Sequence, residues 1–334
     1  MNCEAASAPR GAAISRRTLL IASLAAIGGL LPSCAERSGA AWRSLPARAW
    51  GAFLSAPASE SRVTLDRFAA LAGAEPDLLH LYASTRDSHP QVHLDTIRQL
   101  GATPVLSLEP WNPRVGPYQP EFSLSSVNAG QHDSDLERWA ADLSSWGHPL
   151  LLRFAQEMNG TWYPWSVGLY GNTAAEYRAA WVRMHGIVRA QAPNVEFVWA
   201  PNVLTEGARD FADCYPGDRF VDYLGLDGYN WGDTPGHQWQ TPDKLFSQSL
   251  STIRRLAPRL PILLTEVGCA EGARPGDKAR WMDEFFELML RNTDVTGFLW
   301  FQTDKERDWR INSTSSSTAA FRDGLAEWLA TPRG

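Results

Sequence analysis

The 334-residue sequence is poor in the residues that build metal centres and cross-links. It holds 4 cysteines and 7 histidines, and none of them falls in the close Cys/His spacing of a zinc site, so no metal or other cofactor is expected. Cys3 and Cys34 lie near the N-terminus, which leaves Cys214 and Cys269 either to pair or to sit buried. Charge of one sign is also scarce: 31 basic and 37 acidic residues give a net charge of −6 without a long run of either. Nothing therefore draws this surface to nucleic acid, and an uncharged partner suits it better. A run long enough to cross a bilayer is missing too, because the apolar stretch Leu19 to Leu31 has only thirteen residues.

That stretch suits the core of a signal peptide, and Arg16-Arg17 in front of it resembles the twin-arginine export pattern. Leu31-Pro32-Ser33-Cys34 also resembles a bacterial lipobox, whose cysteine would carry a lipid anchor; simple cleavage after Ala40 is the alternative. The expected plan is an export signal over residues 1–33, a short linker over 34–46 and one folded domain over 47–334. The exported protein would be secreted or membrane-anchored, and a monomer.

What the chain has in abundance is aromatic surface, with 15 tryptophans and 8 tyrosines. Flat rings serve cores, interfaces and sugar platforms alike, so composition alone does not choose among them. The order of elements is more informative. Short apolar runs at 49–54, 78–83, 104–108, 150–155, 195–200, 223–226, 262–265 and 297–301 alternate with segments of helical period. Eight such units predict an α/β fold, a single-domain (β/α)8 barrel. Thr173-Ala-Ala-Glu176 and Ser134-Asp-Leu-Glu137 both read as capping boxes, and Thr241-Pro242 as a helix start. Tyr177, Trp181, Met184 and Val188 share one helix face that should pack on the sheet, and Trp281, Phe285 and Leu288 mark another.

In such a barrel the functional groups stand at the C-terminal ends of the strands, and those ends are polar. Gln156-Glu157 closes the fourth, Asn202 the fifth, Asp227 and Tyr229 the sixth, Glu266 the seventh, Trp300 and Gln302 the eighth. Alternation puts Arg153 on the inward face with Glu157, and an inward arginine needs a carboxylate partner. Glu266, across the mouth, is the natural one. Two carboxylates facing each other over an arginine suit the cleavage of glycosidic bonds, with Glu157 as proton donor and Glu266, beside the guanidinium, as nucleophile.

Five segments carry a resemblance: "RFAQEMNGTWYPW" (153–165), "WAPN" (199–202), "LGLDGYNW" (224–231), "LLTEVG" (263–268) and "WFQTDKERDWRIN" (300–312). Together they resemble the successive signatures of glycoside hydrolase family 26, from about residue 48 to the end. The resemblance implies a retaining, endo-acting β-glycanase on a (β/α)8 barrel, with the acid on strand four and the nucleophile on strand seven. It gives those roles to Glu157 and Glu266. It also implies that Trp162 lines the subsite at the cleaved bond, that Tyr229 stands near the nucleophile and that Trp300 is a sugar platform. Where the family commonly has histidine before the acid, this chain has Gln156, which can hydrogen-bond a sugar hydroxyl but cannot become charged. Arg153, Gln156, Trp162, Asn202, Tyr229 and Trp300 are thus the expected substrate-binding residues.

Other readings stand beside these. Trp165, Trp231 and Trp309 are either outer sugar platforms or loop packing. Asp227 and Asp304 are candidate hydrogen-bonding supports, His80 and Glu109 hold the network or line the cleft, and Cys269 packs. The expected substrate is β-1,4-mannan, with mixed-linkage β-glucan and β-1,3-xylan as alternatives within the family. A non-catalytic glycan-binding protein is the reading from another class.

Overall fold

Each apolar run becomes a strand: β1 (Ala49–Leu54), β2 (Leu78–Ser84), β3 (Thr103–Glu109), β4 (Leu150–Phe154), β5 (Val195–Trp199), β6 (Tyr223–Asn230), β7 (Ile262–Cys269) and β8 (Val295–Gln302). All neighbours pair in parallel, and β1 pairs with β8 to close the barrel. The structure, a computed structural model, describes residues 45–55, 61–205 and 207–332, all within the compact unit Gly39–Gly334. The expected leader over 1–33, Cys34 and the linker up to residue 44 lie outside the described residues.

The crossovers are α1 (Arg62–Ala72), α2 (Gln91–Gln99), α3 (Leu124–Asn128) with α4 (Asp133–Trp146), α5 (Ala174–Gln191), α6 (Pro242–Leu256), α7 (Asp277–Arg291) and α8 (Ser315–Ala330). Between β5 and β6 the described residues make only two short 3-10 turns, Ala212–Cys214 and Asp218–Phe220. The capping box at Thr173 and Glu176 forms as the sequence predicts, and Thr241 caps α6 by accepting from the Lys244 amide. The one at Ser134 does not. The helix starts two residues earlier than that box implies, His132 occupies the cap without a side-chain bond, and Asp133 in the first turn pairs with Arg183 of α5.

Alternation along the strands separates two cores. Outward residues such as Leu152, Phe154, Phe298 and Trp300 meet the helices in one large cluster. Inside the barrel, a floor takes one residue from each strand: Ala49, Leu78, Val105, Leu151, Val198, Tyr223, Leu263 and Leu299. Two residues further along the strands, the interior turns polar with His80, Ser107, Arg153 and Thr265, all buried.

β6 and β7 each run four residues past their apolar runs, because Asp227, Tyr229 and Glu266 end the hydrophobic signal but not the hydrogen-bond ladder. On β7 the pairing skips a residue: Leu264 faces Leu226, but Glu266 faces Asp227. The same extra residue shifts the register with β8, where Leu264 faces Phe298 and Val267 faces Trp300. A bulge of this kind re-aims side chains. It lets both Thr265 and Glu266 reach the barrel interior, although strict alternation would turn one of them away.

Candidate active site

Glu157 is aimed by backbone strain. Ala155 and Glu157 both take left-handed conformations, with φ of 47° and 53°, which a non-glycine residue adopts only when its surroundings enforce it. The Glu157 amide is held by the Ala200 carbonyl at 2.8 Å, and the Glu157 carbonyl accepts from Gly160 at 2.9 Å. A Cβ at Gly160 would stand 2.5 Å from the Trp162 ring, so only glycine lets that ring fold back over the turn. Trp162 then donates its indole N–H to Glu157 Oε2 at 2.7 Å, and Asn202 donates to Oε1 at 2.6 Å.

Glu266 sits in a different setting. Arg153 donates to its Oε1 at 2.8 Å, Tyr82 also donates to Oε1, and Tyr229 donates to Oε2 at 2.5 Å. Burial and the charge of Glu266 hold both phenols well above the usual tyrosine range, so they stay protonated donors. The second arm of Arg153 donates to Asp227 at 2.6 Å, and Thr265 donates to the other oxygen of Asp227 at 2.5 Å. His80 lies against Ser107 at 2.7 Å and Arg153 at 3.3 Å. Burial and then the guanidinium charge keep that imidazole well below its ordinary pKa, so it is neutral.

The two glutamates are close. Oxygens of Glu157, Asp227 and Glu266 lie within 4.8 Å of one another. Three carboxylates at that distance could bind a cation, but the guanidinium of Arg153 already bridges two of them. The glutamates differ in what surrounds them. Glu266 has a cation and two hydroxyl donors, whereas Glu157 has only neutral N–H donors. Burial first, and then the charge of Glu266, push Glu157 up from 4.5 to about 7. Two neighbouring carboxylates with divided environments are the pattern that separates a proton donor from an ionised partner.

Of the expected residues, the structure gathers Arg153, Gln156, Glu157, Trp162, Asn202, Tyr229 and Glu266 at the barrel mouth, with Asp227 as the support expected of it. It does not bring Trp300 there. Trp300 shares the outward parity of Phe298, is fully buried against Phe285 and Phe321, and donates its indole N–H to the Trp309 carbonyl. The inward neighbour on β8 is Phe301, stacked on Phe53 at 4.7 Å. Asp304 is exposed and lies 3.5 Å from Arg310, away from the glutamates. Trp165 and Trp309 are buried packing residues, while Trp231 is half-buried and stacked on His237. Cys214 and Cys269 are buried free thiols.

Tyr82 is the residue the sequence reading missed. Its signal was available: it follows His80 by two on β2, on the same inward face, at the functional end. Beside Glu157, a groove of about 290 Å³ is lined by Asn159, Thr161, Trp162, Asn202, Thr205 and Arg209. Trp162 is 45% exposed.

Comparisons with known proteins bear on the family. Residues 128–258, a span that includes Glu157, Asn202 and Tyr229, match the model of glycosyl hydrolase family 26. The chain is 34% identical over 294 residues to Endoglucanase H of Acetivibrio thermocellus, covering 84% of this chain and 31% of that protein. It is 30% identical over 161 residues to a mannan endo-1,4-β-mannosidase of Bifidobacterium adolescentis, covering 45% of this chain and 16% of that protein. The chain thus spans a third or less of the length of these relatives. In fold it is similar to the catalytic domain of an endo-β-1,4-mannanase of Bacillus sp. JAMB-750, with a TM-score of 0.64 at 17% identity over 85% of this chain and 87% of that one. From a closed eight-stranded barrel, the paired glutamates at its mouth and these matches together, the chain belongs to glycosyl hydrolase family 26.

Proposed function

We propose that this domain hydrolyses internal β-glycosidic bonds with retention of configuration, with β-1,4-mannan as its substrate. The observation that carries the reading is the pair of glutamates, whose oxygens approach within 4.8 Å while only one of them has a cation. Retaining enzymes hold their carboxyl groups about 5–5.5 Å apart, whereas inverting ones leave about 6.5–9.5 Å for a water.

In the first step Glu266 attacks the anomeric carbon and forms an ester bond to it. The bond to the leaving sugar breaks as that oxygen takes the proton of Glu157. Water then attacks the same carbon, giving its proton to Glu157, and the Glu266 carboxylate is released. Arg153, Tyr82 and Tyr229 orient Glu266 for both steps. Trp162 offers its exposed ring to the sugar, and the groove beside the acid has room for a sugar on the leaving side.

Mannan leads because curated relatives and solved neighbours of the same family carry mannanase names. One observation favours a second reading, a β-glucan: a relative 34% identical over 84% of this chain is a protein called Endoglucanase H. Reducing-end assays on galactomannan, lichenan and β-1,3-xylan separate these. Galactomannan is expected to be cleaved fastest; preference for lichenan would replace mannan by glucan. Binding without cleavage of any polymer would leave a glycan-binding protein. We further propose that the protein acts as a monomer outside the cytoplasm, from the leader at residues 1–33. Mass spectrometry of the mature N-terminus tests export and the lipid anchor at Cys34.

A further inference from the structure

A fourth buried carboxylate, besides Glu157, Glu266 and Asp227, stands at the mouth with no step in that chemistry. Glu109 ends β3 and accepts from Gln156 Nε2 on Oε1 at 2.7 Å and from Trp111 Nε1 on Oε2 at 2.9 Å. Gln156 is buried directly beside Glu157; the Tyr163 phenol stands against the same amide, and the amide's Oε1 has no hydrogen-bond partner. An ionised carboxylate has no proton to give, so the amide facing it must present its NH2 group. The carbonyl oxygen of Gln156 is then left as a bare, buried acceptor, which is costly unless something donates to it.

We propose that Glu109 is a positioning residue that sets which end of the Gln156 amide is offered to the sugar, and so sets the hydroxyl recognition next to the acid. The inference rests on the glycanase reading for its ligand, a hydroxyl of the polymer. With Glu109 ionised, Gln156 offers an acceptor and takes a hydrogen bond from a sugar O–H. With Glu109 protonated, its O–H donates to Gln156 Oε1, the amide turns over, and the NH2 group faces the sugar instead. The proton stays on Glu109 throughout.

The other charged and titratable groups facing this pair are Glu266 from β7, Arg153 from β4 and the Tyr163 phenol. Burial is the largest influence on Glu109 and lifts it from 4.5 to about 7; the bonds from Trp111 and Gln156 oppose that, Glu266 adds to it and Arg153 opposes it. The turnover of the amide therefore falls in the neutral range. Substrate preference changes with pH for a reason separate from the protonation of Glu157.

The direct test follows the side-chain amide of Gln156 in the full chain with 15N-glutamine labelling, assigned by its loss in Gln156→Leu. It is run in a Glu157→Gln background so that Glu157 does not titrate. The signal is expected to titrate with a midpoint near 7 and to become flat when Glu109→Gln is added; a titration surviving that change overturns the proposal. If Glu109→Gln does not fold, Trp111→Phe removes an opposing hydrogen bond and should move the midpoint upward, and an unmoved midpoint counts against the proposal. The kinetic readout uses a mannan oligosaccharide. KM should change about tenfold across the neutral range, as expected for one buried hydrogen bond. That change should vanish in Glu109→Gln, while the loss of kcat with rising pH persists. A chain that cleaves no glycan would refute the glycanase reading and leave the amide titration to decide this one.

Discussion

The floor and the mouth of this barrel are built by the same eight strands, two residues apart, and they are opposites. The floor is a ring of apolar side chains with Leu78, Val105, Leu151 and Leu263 at its centre. The mouth replaces the next positions by His80, Ser107, Arg153 and Thr265, equally buried but polar. An apolar layer stabilises by leaving water; a buried charged layer gains its place only through complete pairing. The comparison teaches that the mouth is held by complementarity among a few groups, so one deletion there strands another charge, whereas one deletion in the floor leaves only a hole.

The sharpest way to break the comparison is to remove one member of the glutamate pair. Glu266→Ala should lower kcat by about four orders of magnitude or more, and Glu157→Gln by about two to four, both read by reducing-end assay. Full activity in either variant would end the assignment. Arg153→Met comes next. It leaves Asp227 and Glu266 buried without their cation and should cost about 3–5 kcal/mol in chemical denaturation, together with most of the activity. Leu151→Ala, one layer below, should cost about 2–5 kcal/mol but keep kcat near that of the parent. If Leu151→Ala also removed turnover, the two layers would not be the separable parts described above.

A smaller effect separates function from stability in the mouth itself. Glu157 keeps its proton up to about pH 7 in the folded chain, against 4.5 for its ordinary value. Between those values the folded state binds more protons than the unfolded one, so stability falls as pH rises through the window. Glu157→Gln removes that loss and should be more stable than the parent at pH 8 by about 3 kcal/mol, with no such gain at pH 4. Activity of the parent should fall as pH rises through about 7, where the acid loses its proton. The smallest change is Trp162→Phe, which removes the indole bond that opposes the upward shift of Glu157. Its kcat–pH profile should extend to higher pH, with a loss of about tenfold in kcat/KM from the missing contact. An unchanged profile would mean that Trp162 acts on the sugar alone.

Much of this could be read from residue order, and the failures have physical causes. Apolar runs located all eight strands, because burial on both faces of a parallel sheet demands them. Glu157, Glu266 and Arg153 followed from the strand ends and from the need of an inward arginine for a partner. Trp300 was misplaced because the resemblance made it a sugar platform, while its parity with Phe298 assigns it to the helix side. Tyr82 was overlooked because a tyrosine at the end of an apolar run resembles core until its hydroxyl is seen on Glu266. The strands β6 and β7 looked short because pairing continues through polar residues, which periodicity does not register. Glu109 was seen near a strand end, but its link to Gln156 joins residues 47 positions apart, and nothing local in the chain announces it.

The bulge on β7 has a consequence for how the site is inherited. Its one surplus residue lies between Leu264 and Glu266 and resets the facing of everything after it. Deleting Thr265 would restore plain alternation: Leu264 would still face outward, Glu266 would follow it inward, and Val267 would again face outward opposite Trp300. The glutamate would keep its facing, and what the site would lose is the Thr265 hydroxyl that donates to Asp227. The surplus residue is therefore hereditary information of another kind than the glutamate: a single lost codon there would remove the support of Asp227 and leave the direction of Glu266 unchanged.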